Sequence, residues 1–273
     1  MKERLDTLLV TQGHFPTREQ ARRAIQAGWV QVNRQVVDKP GALVPADSAI
    51  TIQSRAPYVS RGGEKLAHAL CTFGIAVAGR VALDGGISTG GFTDCLLQAG
   101  ARRVYGVDVG YGQVAWQLRQ DPRLKLLERT NLRYLQPEQI YGPDDPWPDL
   151  GVLDLSFISV TKVLPAVWHL LLPPRELVVL VKPQFEVGRE QVGKGGVVRS
   201  PQAQAQAIQS VAQAATTLGW HVQGLTASPL LGPAGNREFL LWLRMTHPSG
   251  QLDWPALLAQ VVTDHDPTTG FGN

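Results

Sequence analysis

Five charged residues in this chain stand directly against apolar runs. Asp84 closes Val81-Ala82-Leu83, Asp108 closes Val104-Tyr105-Gly106-Val107, Asp154 closes Val152-Leu153 and Lys182 closes Leu180-Val181, while Glu238 opens the run Phe239-Leu240-Leu241. A charge held beside a buried run is costly unless it is paired or put to use. Between the first two acids lies the turn Gly85-Gly86-Ile87-Ser88-Thr89-Gly90-Gly91, followed at once by Phe92-Thr93 and an amphipathic helix. Glycine admits positive φ and a close backbone approach, and a helix start offers free N–H groups, so this turn can cradle a ligand. A second acid about 20 residues after the first suits a nucleoside held by its ribose. Asp154, Lys182 and Glu238 are groups that could pair with one another and move or orient a proton.

The elements that must position these residues follow from periodicity. Strands are expected at 81–84, 103–108, 124–127, 150–154, 177–181, 221–227 and 239–244, with helices starting near Phe92, Gln113, Pro137, Val160 and Pro201. Such alternation predicts an α/β fold with a largely parallel seven-stranded sheet covered on both faces. The last two strands have no helix between them and should form a hairpin at one edge. In an open sheet of this kind, ligands bind beyond the carboxyl ends of the strands, where Asp154 and Lys182 fall. The stretch 183–199 reads as one long glycine-bearing loop, a length that is usually functional. The Gln/Ala repeat at 202–209 reads as a solvated helix face, and 267–273 as a disordered tail.

The form of the glycine turn narrows its ligand. Ser88 stands where the dinucleotide fingerprint needs its second glycine, and Gly91 where a P-loop needs lysine. Gly86-Ile87-Ser88-Thr89-Gly90 does spell the hydrolase nucleophile elbow, but that elbow follows later strands rather than the first. Ser88 and Thr89 could also serve simply as helix caps. The turn is similar to that of Rossmann-like methyltransferases, which hold S-adenosylmethionine without a pyrophosphate to cradle.

Composition excludes several classes. The 273 residues suffice for one full α/β domain plus a small one. Two cysteines without CxxC spacing and scattered histidines argue against a disulfide framework or a metal centre, and point to the cytoplasm. No apolar signal core and no run of about 18 apolar residues is present. The formal charge is only +3, yet residues 1–65 hold ten basic against six acidic side chains. That excess fits a nucleic-acid partner.

Within the basic region, helices are expected at 3–10 and 18–27, the second opened by a Thr17–Gln20 capping box, then small strands at 29–33 and 49–52. Arg18 and Arg22 share a helix face with Arg23 beside them. Two short helices before a small sheet, with "AGWVQVNRQVV" and "PADSAITI", resemble the S4-type RNA-binding module over residues 1–55. A linker is expected at 56–64, the main domain at 65–245 and a tail at 246–273.

With "SRGGEKL", "LDGGISTGGFTD", "DVGYGQ", "ERTNLR", "DLSFIS", "VKPQFE" and "GPAGNREF", the chain resembles the TlyA-type (haemolysin A) family, and Lys65, Asp154, Lys182 and Glu238 match the K-D-K-E tetrad of FtsJ-like RNA ribose 2′-O-methyltransferases. The resemblance implies S-adenosyl-L-methionine as cofactor, held by Asp84, Gly86, Ser88, Thr89, Gly90, Gly91, Phe92, Thr93, Asp108, Asn131 and Asp154. It implies methylation of a cytidine ribose in ribosomal RNA, with Arg4, Arg18, Arg22, Arg23 and Arg61 on the RNA backbone. Lys182 would be either the base, in a neutral form favoured by burial and by Lys65 but opposed by Asp154, or an orienting group. Ribosomal subunits are then the partner, no membrane is involved, and a monomer is the default. The alternatives are a catalytically silent assembly factor and a membrane-active haemolysin.

Overall fold

The computed structural model describes residues 2–26, 28–52, 57–248 and 252–264, which form two units meeting at Pro57 and Tyr58. The expected end of the second helix at Ala27, residues 53–56 where the expected first domain gives way to the linker, and the tail 267–273 lie outside the described residues.

The first unit contains β1 (Lys2–Arg4), α1 (Leu5–Thr11), α2 (Arg18–Gln26), β2 (Val30–Val32), β3 (Gln35–Val36), β4 (Leu43–Pro45) and β5 (Ile50–Ile52). Strands β3-β2-β5 make one small sheet, and β1 pairs with β4. The first helix therefore starts two residues later than expected, because Lys2–Arg4 finds a backbone partner in Leu43–Pro45 and pairing overrides local propensity. Leu5, Leu9, Ile25 and Val30 form a separate small core.

The second unit runs α3 (Gly62–Phe73), β6 (Val81–Gly85), α4 (Gly91–Gln98), β7 (Arg103–Val107), α5 (Trp116–Arg119), β8 (Leu124–Leu127), α6 (Pro137–Ile140), β9 (Leu150–Leu153), α7 (Leu164–Leu170), β10 (Glu176–Val181), α8 (Pro183–Glu186), α9 (Pro201–Thr217), β11 (His221–Ala227), β12 (Phe239–Arg244) and α10 (Trp254–Thr263). Its sheet has the order β11-β12-β10-β9-β6-β7-β8. All neighbours are parallel except β12, which runs antiparallel to both β10 and β11. The expected α/β sheet with its terminal hairpin is thus present.

Alternate residues of each central strand feed opposite faces, as a pleat requires. Leu83, Leu153, Val179 and Leu241 pack with α7 and α9 on one side, and Ala82, Val152, Val178 and Leu240 pack with α3 and α4 on the other. At the amino-terminal ends of the parallel strands Arg80 bridges Asp149 and Glu176, and Glu176 also accepts from Trp242 Nε1 at 2.9 Å and pairs with Arg244.

Four expectations need correction. The helices near Gln113 and Pro137 are single turns, α5 and α6. The stretch 183–199 is not one loop: it holds α8 and two short 3₁₀ turns. The Gln/Ala segment is not solvated throughout, since Ala203, Gln204, Ala207 and Ile208 are buried on one face of α9. The chain beyond Arg244 contains α10, whose Val261 and Val262 join the core, with Arg237 donating to the carbonyls of Val261, Val262 and Asp264. Among the described residues no helix is long and apolar enough to cross a membrane.

Candidate active site

The glycine turn follows the central strand β6 and folds back under two neighbouring loops. Gly86 and Gly90 take φ of +86° and +100°, and Ser88 also lies at positive φ. A Cβ at Gly86 would sit 2.6 Å from the Asp154 carbonyl oxygen, and one at Gly91 would meet Ser60 Oγ at 2.2 Å and the Gly63 amide at 2.9 Å. Only a bare backbone fits between these neighbours. The Ser88 amide donates to Asp108 Oδ2 at 2.8 Å, and Asp108 Oδ1 accepts from the Gly110 amide at 2.7 Å. The acid that ends β7 is therefore fixed at the mouth of the turn, with carboxylate lone pairs to spare.

Two cavities share this floor. One, of about 510 Å³, is bordered by Gly86, Ser88, Asp108, Gly110, Asn131, Leu132 and Asp154, together with apolar side chains such as Ile158 and Val163. The other, of about 420 Å³, is bordered by Arg61, Lys65, Gly86, Ser88, Thr89, Gly91, Phe92, Asp154, Lys182, Pro233 and Glu238. Gly86, Ser88 and Asp154 line both, so a ligand in each could meet there.

The four charged residues sort into two pairs at the second cavity. Lys65, on the first turn and a half of α3, places Nζ 2.5 Å from Glu238 Oε2, and both side chains are buried. Lys182 places Nζ 2.6 Å from Asp154 Oδ1 and 2.9 Å from Ser156 Oγ. Glu238 reaches this end of the sheet because β12 runs antiparallel, so the residue before its first strand position lies beside the residues after β9 and β10. Paired in this way, the buried charges avoid the cost of isolation.

Three residues of the expected cofactor set border neither cavity. Asp84 and Thr93 are fully buried beneath the turn, where Thr93 Oγ1 donates to Asp84 Oδ2 at 2.6 Å. Gly90 lies against Leu118 as the N-cap of α4. Burial, with added repulsion from Asp154 and Asp108, pushes the Asp84 carboxyl up to about 7 despite the Thr93 bond. Arg61 borders the second cavity and donates to the Leu231 carbonyl at 3.0 Å. The remaining arginines lie on the first unit. Arg4 and Arg18 both bond the buried Asp6, Arg23 pairs with Glu19, and Arg22 is exposed. These two arginines hold the Asp6 carboxyl down at about 2, with the Arg4 hydrogen bond the largest cause.

Ser156, Leu231 and Pro233 also border the site and were not anticipated. Ser156 stands two residues after Asp154, a spacing that could have flagged it. Leu231 and Pro233 carry no chemical signal in the sequence.

Comparison with known proteins bears on this geometry. The family model described as FtsJ-like methyltransferase matches residues 58–245, and that described as S4 domain matches residues 3–50. The chain is 51% identical over 245 residues to the 16S/23S rRNA (cytidine-2′-O)-methyltransferase TlyA of Mycobacterium tuberculosis, covering 89% of this chain and 90% of that one. It is 38% identical to Hemolysin A of Brachyspira hyodysenteriae, with 87% and 98% covered. A solved structure from Streptococcus thermophilus, described as a hemolysin, shares 42% identity at a TM-score of 0.71, with 96% of this chain and 94% of that one covered.

Proposed function

The chain belongs to the FtsJ-like methyltransferase family and carries an S4 domain ahead of the methyltransferase domain, and from that premise we propose that it methylates the ribose 2′-hydroxyl of a cytidine in ribosomal RNA with S-adenosyl-L-methionine. The observation that carries this reading is the junction of two cavities at Gly86, Ser88 and Asp154, with both lysine–acid pairs on one side of it. The cytidine and the ribosomal RNA come from the mycobacterial relative's activity.

The first cavity fits the cofactor in chemistry: an acid for ribose hydroxyls, an apolar wall for a base, and a bare glycine floor where a Cβ would intrude. Asp108, Asn131, Gly86 and Ser88 would hold it there, with Asp84, Gly90 and Thr93 supporting the turn from below. When bound, the cofactor supplies an electrophilic methyl group on a sulfonium.

The second cavity receives the target nucleotide. Thr89, Gly91 and Phe92 shape its floor, and Arg61 stands at its edge beside the negative backbone. Lys182 meets the 2′-hydroxyl, either accepting its proton or orienting its lone pair toward the methyl group. Asp154 and Ser156 fix the lysine, while Glu238 holds Lys65 so that both charged pairs keep their places. Because displacement must be in line, orientation supplies much of the rate. Arg4, Arg18, Arg22 and Arg23 contact phosphates and position the RNA without specifying it. The work is cytoplasmic, on ribosomal subunits.

The test is mass-spectrometric mapping of ribose methylation in ribosomal RNA incubated with the protein and labelled cofactor. The expected result is a methyl group on a cytidine 2′-oxygen. Lys182→Ala should lower the rate by about 10²- to 10⁴-fold while cofactor affinity stays within about twofold. No methylation by the wild-type protein overturns the function, and an active Lys182→Ala variant overturns the role of the lysine.

A further inference from the structure

The two segments that carry Asp154 and Lys182 are joined at a second point. Glu186 ends the single turn α8, which begins immediately after Lys182. Its Oε2 accepts from Ser159 Oγ at 2.6 Å, and its Oε1 accepts from the Val160 amide at 2.8 Å. Ser159 in turn caps the 3₁₀ turn Val160–Lys162 through the Thr161 amide. Each carboxylate oxygen thus holds a different donor of the loop that follows β9.

Between the two fastenings the chain is under local stress. Phe157 has φ +66°, is 92% exposed, and rests its ring 5.5 Å from that of Phe185. A bulky residue at positive φ is strained and persists only where its surroundings impose it. Lys182 bonds Asp154 and Ser156 on one side of Phe157, and Glu186 bonds Ser159 and Val160 on the other. Nothing in ribose methylation requires a carboxylate at Glu186, which lines neither cavity. Burial raises its carboxyl above the ordinary range, against the two hydrogen bonds that favour the charged form.

We propose that Glu186 is a positioning residue: by tying α8 to the loop after β9 it fixes loop 154–160 and, through that loop, the placement of the Asp154–Lys182 pair. The inference rests on the reading that Lys182 acts in methyl transfer. A tie of this kind matters because small misplacements of reacting groups cost rate heavily.

The experiment compares Glu186→Ala, Glu186→Gln and the milder Ser159→Ala in the full chain, with two readouts. Hydrogen exchange is followed at residues 154–160, including the Val160 amide, and kcat is measured at saturating cofactor and ribosomal subunits. Glu186→Ala should speed exchange across 154–160 and lower kcat by about tenfold or more with KM within about twofold. Glu186→Gln, which still accepts from Val160 and can donate to Ser159, should restore most of both, and Ser159→Ala should fall between. Unchanged exchange and kcat in Glu186→Ala overturn the proposal, as does an equal loss in Glu186→Gln, which would assign the effect to charge. Should Glu186→Ala fail to fold, unchanged exchange and kcat in Ser159→Ala overturn it. If the wild-type protein methylates no ribosomal RNA, the reading of Lys182 fails while the exchange result still decides whether Glu186 holds the loop.

Discussion

Asp84 carries the most unusual electrostatics of the site. It is fully buried, one oxygen bonded to Thr93 and the other without a hydrogen-bond partner among the described residues. Its carboxyl titrates near 7 in the folded protein, against 3.8 when free. The folded state therefore keeps a proton that the unfolded chain has already released, so this group's contribution to stability is full below about pH 4 and is lost as pH rises through about 7. Asp84→Asn should remove that component. Between pH 5 and pH 8 the variant should gain on the wild type by on the order of 2 kcal/mol in urea unfolding; parallel curves would show that Asp84 is ionised throughout. The acid was legible in the sequence as a charge at a strand end, but its partner was not. The acid's place beside the glycine turn suits a ligand contact, whereas in the fold it bonds Thr93, nine residues later on the buried side of α4.

At the level of elements, the meeting of α3 and α4 sets where Lys65 stands. The helices approach so closely at their amino ends that a Cβ on Gly91 would strike the Gly63 amide at 2.9 Å, whereas one on Gly62 would make ordinary contact with Phe92 at 3.4 Å. Gly91→Ala should therefore cost about 1–3 kcal/mol in stability and weaken methyl transfer by moving Lys65 off Glu238. Gly62→Ala should be tolerated in urea unfolding and only modestly affect rate. Equal behaviour of the two variants would refute this packing argument. Asp154 and Lys182 were readable because a strand must end where a charge follows an apolar run. The Lys65–Glu238 pair was not readable from spacing, since 173 residues separate its members and only the reversed direction of β12 brings Glu238 back. Glu186 has no signal in the sequence for a related reason: its partners Ser159 and Val160 lie on a neighbouring loop, and a one-dimensional pattern carries no trace of loop-to-loop contact. Short elements failed similarly, as β1 exists only because β4 is there to pair with it.

For the whole molecule, the division of labour follows the division of charge. The chain's net charge is +3, while residues 1–65 carry ten basic and six acidic groups, so the remainder is close to neutral or slightly acidic. Within the first unit the buried Asp6 holds Arg4 and Arg18 with roughly half of each side chain exposed, which presents two guanidinium groups already fixed in direction. Binding to ribosomal RNA should weaken steeply with salt, and Arg18→Gln should lower the slope of log K against log salt by about one; an unchanged slope in filter-binding measurements would remove Arg18 from the RNA contacts. The methyltransferase unit carries a different kind of asymmetry. Arg80, Asp149, Glu176, Trp242 and Arg244 knit four strands together at the end of the sheet opposite the glycine turn. That knot frees the other end from the task of keeping the strands in register. Loops there can shift without unravelling the strands. The clasp keeps the strands aligned at one rim and leaves the shape of the candidate site's rim to its loops.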